Sequence, residues 1–354
     1  MNEMPRPIPS QAERYAGEGE AFVKVEDLKV RFVSRDATVR AVNGVSFELA
    51  RGEVLCVIGE SGSGKSVMMR SLLRLHPPKR TVIEGRMLVG GHDIGAVDER
   101  TMSSLRGSTI SMIFQEPMTA LDPLYTIGDQ IAETVMRHEK LGRKAAWARA
   151  LELLELVRVP SAERRLKAYP HELSGGLRQR AMIAVALSCR PGLLLADEPT
   201  TALDASVQIQ VLVLLRKLQR DMGMSMIFVT HDLGVAAQVA DKVAVMYAGR
   251  IIEHGAARDV LVHPQHPYTR AMLSSTIKDR HKAGPLGAIG GSPPDLRALP
   301  EGCSFAPRCP YAGPECLPAM PAPVVGADGH TARCVRTEVV DGVLEFRPGT
   351  ALPA

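Results

Sequence analysis

The stretch VLCVIGESGSGKSVMMRSLLRL, residues 54–75, limits the fold of this chain more than any other. Five unbroken apolar residues run into a glycine-rich loop, and the loop runs into a segment of good helix formers. A strand with no polar alternation is covered on both faces, which is the condition of a parallel strand in an α/β sheet. Gly59 to Ser66, GESGSGKS, fits G-x-x-x-x-G-K-[ST] in the required strand–loop–helix setting. Gly59, Gly62 and Gly64 let the backbone N–H groups of Glu60, Ser61, Ser63 and their neighbours turn inward around phosphate oxygens. Lys65 then supplies charge to β- and γ-phosphates, Ser66 offers a hydroxyl to Mg²⁺, and the helix N-terminus adds its dipole.

The rest of the chain fits an α/β protein of one large and one small domain. Residues 1–20 are polar and read as a flexible tail. FVKVEDLKVRFV, VRAVNGVSFELA and GRMLVGGHDI alternate with period two and predict antiparallel strands. Residues 126–158 carry helical periodicity and predict a helical subdomain of about 117–175 inserted in the core. PGLLLADEPT and MSMIFVTHD are again unbroken apolar strands, separated by a helix over Ala205–Met222. KVAVMYAGRIIEHG predicts a hairpin turning at Gly249. The periodicity fades after residue 262, so the reading is a main domain over 21–262 and a C-terminal extension over 263–354.

Several polar residues end these apolar strands. Asp197 suits a role in holding Mg²⁺ through its water shell, and Glu198 suits the polarising of an attacking water. Gln115, in SMIFQEP, suits sensing of the γ-phosphate or Mg²⁺. His231 suits a hydrogen bond to the γ-phosphate, although a lone histidine at a strand end is more often structural. Phe32 suits either stacking on adenine or a place in the core. A second glycine turn, LSGGLRQR from Leu173 to Arg180, opens another helix about 110 residues after the first. One nucleotide has no use for two such cradles in one chain, whereas two chains head to tail would use both.

GESGSGKS, Gln115, LSGGLRQR, LLLADEPT, ALD and His231 occur in the order of ATP-binding cassette (ABC) transporter ATPases, which this chain resembles over residues 22–262. VIGESGSGKS, IFQEPMTALDP, HELSGGLRQR and HPQHPYTRAML are similar, more narrowly, to the ATPases of oligopeptide and dipeptide importers. The resemblance implies a P-loop NTPase core with an antiparallel β subdomain, the inserted helical subdomain and a small Cys-rich C-terminal domain. It implies ATP and Mg²⁺ at Gly59–Ser66, with Gln115 and Asp197 as further Mg²⁺ contacts, Glu198 as catalytic base and His231 as switch residue. Leu173, Ser174, Gly175, Gly176 and Gln179 would address the ATP of a partner cassette, and Asp204 would be the D-loop residue. The implied partners are a second, different ATPase chain, two membrane permease subunits and an external solute-binding protein. Importers of nickel, glutathione or another solute are alternatives. Chromosome and DNA-repair ATPases also use LSGG, but they need a long coiled coil between the two glycine loops, and no sustained heptads occur here. Translation-associated relatives carry two cassettes in one chain, against a single phosphate loop here.

Six cysteines are present, and four of them stand as C-x5-C-x6-C-x17-C at Cys303, Cys309, Cys316 and Cys334. No apolar core of a secretory signal and no membrane-spanning run is visible, so a cytoplasmic setting with reduced thiols is expected, and a disulfide framework is disfavoured. By pattern alone the four suit Zn²⁺ or an iron–sulfur cluster, or remain free thiols. Some of the peptide-importer ATPases that this chain resembles carry a 4Fe-4S cluster in the tail, which implies the same for these four, with a structural role as a staple. Net charge is +4, too small to argue for nucleic acid. The expected location is peripheral, on the cytoplasmic face of the membrane.

Overall fold

The computed structural model describes residues 21–201, 203–276, 289–326 and 328–337. The expected tail over 1–20 lies outside them. In chain order the strands are β1 (Val23–Val33), β2 (Thr38–Leu49), β3 (Val54–Ile58), β4 (Thr81–Val89), β5 (His92–Asp93), β6 (Ile110–Ile113), β7 (Leu193–Asp197), β8 (Ser225–Val229), β9 (Lys242–Tyr247), β10 (Arg250–Ala256), β11 (Val324–Val325) and β12 (Thr331–Ala332). The α-helices are α1 (Lys65–Leu72), α2 (Glu99–Ser108), α3 (Pro117–Ala120), α4 (Ile127–Glu139), α5 (Arg143–Leu156), α6 (Ala162–Leu166), α7 (Gly175–Leu187), α8 (Ala205–Met222), α9 (Leu233–Val239), α10 (Ala257–Val262) and α11 (Pro267–Thr276). These elements divide into two compact units. One comprises Met1–Lys24, Glu48–Glu53 and Met87–Ile227; the other comprises Val25–Phe47, Val54–Arg86 and Phe228–Ala354.

In the first unit β6 and β7 run parallel, Ile110 opposite Leu193 and Ile113 opposite Ala196. Every residue of both strands is buried, which is why neither alternates with polar residues. Ser225, at the start of β8, continues the ladder by donating to Gly192 O at 2.9 Å. Helices α4, α5 and α7 pack on one another. Helix α8 starts where its sequence says it should: the Asp204 carboxylate caps it by accepting from Val207 N, and Gly223 ends it at φ 62°.

In the second unit β3 runs parallel to β9, with Leu55 opposite Lys242 and Ile58 opposite Val245. β9 and β10 form the expected antiparallel hairpin through Ala248 and Gly249, with Arg250 opposite Tyr247. β2, β1 and β4 lie side by side in that order. The segment after residue 262 groups with the second compact unit rather than as a unit of its own. β12 instead pairs with β10, Glu253 opposite Ala332, and Arg333 N donates to Ile252 O at 2.7 Å. With too few apolar residues to enclose a core, the segment completes its backbone hydrogen bonds on the open edge of the hairpin. Among the described residues no helix is long and apolar enough to cross a membrane.

Candidate functional site

The loop between β3 and α1 can only be built with glycine at two of its positions. A Cβ on Gly59 would lie 2.1 Å from Met246 O, and one on Gly64 would lie 2.3 Å from Ala41 O. Gly62 has φ 78° with nothing within 4 Å of a Cβ position, so its need is conformational rather than steric. Gly64 caps α1 at φ 101°, and Lys65 is the first helical residue. The Lys65 side chain folds back over the loop. Its ammonium donates to Gly59 O at 2.7 Å, to Glu60 O at 2.8 Å and to Ser63 Oγ at 3.4 Å. Lys65 is 6% exposed, so its charge acts where water screens it little. A glycine loop held tight against its neighbours, a buried ammonium and the amino end of an eight-residue helix together suit a phosphate group.

The same unit holds Phe32 and His231. The Phe32 ring meets His76 edge-on, with centroids 5.3 Å apart. His231 is exposed at the end of β8. The turn beneath it is fixed: Asp232 N donates to Thr230 Oγ1 at 3.0 Å, and the Asp232 carboxylate accepts from Gly234 N and Val235 N to cap α9.

The first unit holds the acids and the second glycine turn. Asp197 closes β7 fully buried. Glu198 follows at φ 44°, a left-handed conformation that a non-glycine residue adopts only under constraint. The constraint is visible in its carboxylate, which accepts from Gln115 Nε2 at 3.2 Å and from Thr201 Oγ1 at 2.9 Å. Ser174 precedes α7 in the N-cap position, yet its side chain makes no capping bond. The hydroxyl is therefore not spent on the helix. Ser174 and Gly175 are exposed, whereas Leu173 and Gln179 are buried, Gln179 at 1% exposure. A Cβ on Gly176 would meet Val207 Cγ1 at 2.8 Å, so the signature turn needs glycine there to sit against the start of α8. Asp204 is committed to capping that helix through Val207 N, a task that an aspartate just before an apolar helix signals in sequence.

Cys303, Cys309, Cys316 and Cys334 line one cavity, with His266 and Tyr311 also in its wall. Burial pushes up the thiols of Cys303 and Cys334, and that of Cys309 to about 12. Cys303 N donates to Cys316 O at 2.8 Å, which closes the loop that carries three of the four. All six cysteines are free thiols. Among the described residues no group of three or more His, Cys, Asp or Glu side chains is disposed to hold a metal ion. Mg²⁺ at a nucleotide site does not require such a group, since it keeps several waters and takes phosphate oxygens.

Sequence reasoning missed two features. Arg308 binds the Glu60 carboxylate at 2.7 Å. Glu253, 1% exposed, accepts from Gln265 N at 2.6 Å, His266 N at 3.0 Å and His330 Nε2 at 2.8 Å. Both link residues too far apart in sequence for any local pattern to reveal.

Comparison with known proteins gives the arrangement a context. The family described as ABC transporter matches residues 42–201, and that described as oligopeptide/dipeptide transporter, C-terminal region, matches residues 252–316. The dipeptide transport ATP-binding protein DppD of Bacillus subtilis (strain 168) is 48% identical over 316 residues, covering 89% of this chain and 94% of that one. The oligopeptide transport ATP-binding protein OppD of Salmonella typhimurium is 46% identical over 300 residues, covering 85% and 89%. Among solved structures, the dimeric post-hydrolysis state of the ATP-binding cassette MJ0796 bound to ADP and Pi is similar with a TM-score of 0.60 and 28% identity, covering 67% of this chain and 99% of that one. On these likenesses the chain belongs to the ABC transporter ATP-binding proteins of the dipeptide and oligopeptide transport family.

Proposed function

We propose that this protein is the ATP-hydrolysing subunit of an importer that moves dipeptides or oligopeptides across the cytoplasmic membrane. The observation that carries the reading is the likeness to a dipeptide transport ATP-binding protein over nine-tenths of both chains. Motifs alone would identify a nucleotide site but not a cargo class. On this reading Gly59–Ser66 wrap the phosphates, and the Lys65 ammonium exchanges its carbonyl partners for phosphate oxygens. Phe32 lies against adenine. Ser66, Asp197 and Gln115 would hold Mg²⁺, which would supply positive charge to offset that of the phosphates. Glu198, whose carboxylate accepts from Gln115 and Thr201, polarises the attacking water, and His231 holds the γ-phosphate. Ser174 and Gly175, exposed on the amino end of α7, address the ATP of a second cassette, with Leu173, Gly176, Gln179 and Asp204 shaping that turn.

The partners on this reading are a second ATPase chain, two permease subunits and an external solute-binding protein, with this chain peripheral on the cytoplasmic face. Support for a permease contact comes from the segment after Gln115. Met118, Leu124 and Tyr125 are 48%, 79% and 56% exposed, which is unusual for large apolar side chains in one short stretch. A groove of about 350 Å³ lined by Phe114, Leu121, Glu133, Arg137 and Met182 adjoins it. The four-cysteine cavity would hold a 4Fe-4S cluster. Each thiolate of such a cluster binds a different iron, so the cysteines need not gather as tightly as around one Zn²⁺. The cluster would staple a segment of little apolar surface.

The test is Glu198→Gln in the assembled transporter. ATP affinity should stay near wild type, because the phosphate loop is intact. Turnover and peptide uptake should fall by about 10²- to 10⁴-fold, the range for loss of a general base. Normal turnover by that variant would refute the assignment.

A further inference from the structure

Glu60, inside the phosphate loop, is held on three sides. Its N–H donates to Tyr268 Oη at 2.9 Å, and its carbonyl accepts from the Lys65 ammonium at 2.8 Å. Its carboxylate accepts from both terminal nitrogens of Arg308, from Nη1 at 2.7 Å and from Nη2 at 3.0 Å. The remaining donors of Arg308 are also used: Nε on Gly290 O at 2.8 Å, Nη2 on Ile289 O at 3.2 Å and Nη1 on Tyr247 Oη at 3.2 Å. The Arg308 side chain is 4% exposed. It lies against a cluster in which the Tyr247 and Tyr268 rings are 4.6 Å apart and Phe305 is 5.4 Å from each. An exposed pair of these residues would contribute little. A buried two-pronged fork fixes direction as well as distance.

The chain of contacts runs from Arg308 to the Glu60 carboxylate, through the Glu60 peptide, to the Lys65 ammonium. We propose that Arg308 is a positioning residue for ATP: it sets the shape of the phosphate loop and, through Glu60, the place of the Lys65 charge. The C-terminal segment, by this account, tunes nucleotide affinity. The inference rests on the nucleotide reading of Gly59–Ser66 proposed above.

The test uses the full chain and four variants, Arg308→Met, Arg308→Lys, Glu60→Gln and the Arg308→Met/Glu60→Gln double. Equilibrium ATP affinity, KM and kcat are measured beside the melting temperature. Lys65→Ala serves as reference: if wild type binds ATP and Lys65→Ala does not, the nucleotide reading stands whatever Arg308 does. Arg308→Met should weaken ATP binding about tenfold or more, with the change in affinity and KM rather than in stability alone. Arg308→Lys should recover only part, because an ammonium cannot form the fork. The double variant should bind no worse than the weaker single, since both changes cut the same link. A lower melting temperature with unchanged ATP affinity would overturn the proposal and leave the bridge a staple of the tail. Additive losses in the double variant would overturn it as well. If Arg308→Met does not fold, Arg308→Lys against Glu60→Gln decides by the same affinity criterion.

Discussion

Two glycines of the phosphate loop offer a controlled comparison, because the same substitution meets different surroundings at each. Gly62 and Gly64 both have left-handed φ, 78° and 101°. Alanine at either position therefore costs roughly 1–2 kcal/mol of backbone strain. At Gly62 nothing more is asked, since no atom lies within 4 Å of the new Cβ. At Gly64 the Cβ would stand 2.3 Å from Ala41 O and 3.0 Å from Met246 Cε, and Ala41 O belongs to backbone that cannot swing aside. Loop and strand must part by at least 0.7 Å to reach the 3.0 Å floor of real Cβ contacts. Gly64 directly precedes Lys65, so the shift displaces the Lys65 ammonium, proposed above to meet the phosphates, by a similar amount. Misplacement on the scale of 1 Å is enough for a loss of about 100-fold. Gly64→Ala should accordingly lose ATP affinity by about two orders of magnitude, whereas Gly62→Ala should stay within a few-fold of wild type while losing roughly 1–2 kcal/mol of stability. Titration with a fluorescent ATP analogue and urea unfolding give both quantities. Equal ATP affinity in the two variants would refute the steric argument for Gly64.

Two further outcomes are expected. Protein purified without oxygen should carry about four irons per chain and a brown colour, lost in Cys309→Ser; one zinc and no colour would exclude the cluster, and no metal would exclude both. Stability should also depend on pH through His330, which is 2% exposed and whose pKa is raised by its hydrogen bond to Glu253 and further by Asp328 and Asp259, against the effect of burial. A raised value means that the contribution is complete below the usual 6.5 and fades as pH climbs through the folded value. The melting temperature of the wild type should therefore fall more steeply than that of His330→Gln as pH rises above 6.5, and parallel curves would rule the pair out as the cause.

The local grammar of the fold was readable from sequence. Apolar run, glycine loop and helix announced β3 and α1, and Asp204 with Gly223 bracketed α8 to the residue, because caps and turns are decided by neighbours in the chain. The site was readable as a list of residue types but not as a geometry. Nothing in the sequence says that Glu198 is left-handed, or that Gln115, 83 positions away, reaches its carboxylate. Loss of periodicity after residue 262 marked where the extension begins but not where it packs, because periodicity reports how a segment is packed and not on what. The Arg308 bridge spans 248 positions and leaves no trace in either neighbourhood.

That span has a consequence for synthesis. Glu60 leaves the ribosome 248 residues ahead of Arg308, and 208 ahead of Tyr268. At ordinary elongation rates of about 5–20 residues per second, the phosphate loop waits roughly 12–50 s for its last clasp. The sequence of the loop is complete early, but two of the contacts that hold Glu60, those of Tyr268 and Arg308, come from residues made much later. If Arg308 positions the loop as proposed, a nascent chain should bind ATP weakly until that residue is in place, and chains halted before Arg308 carry the GESGSGKS motif without the bridge to Glu60.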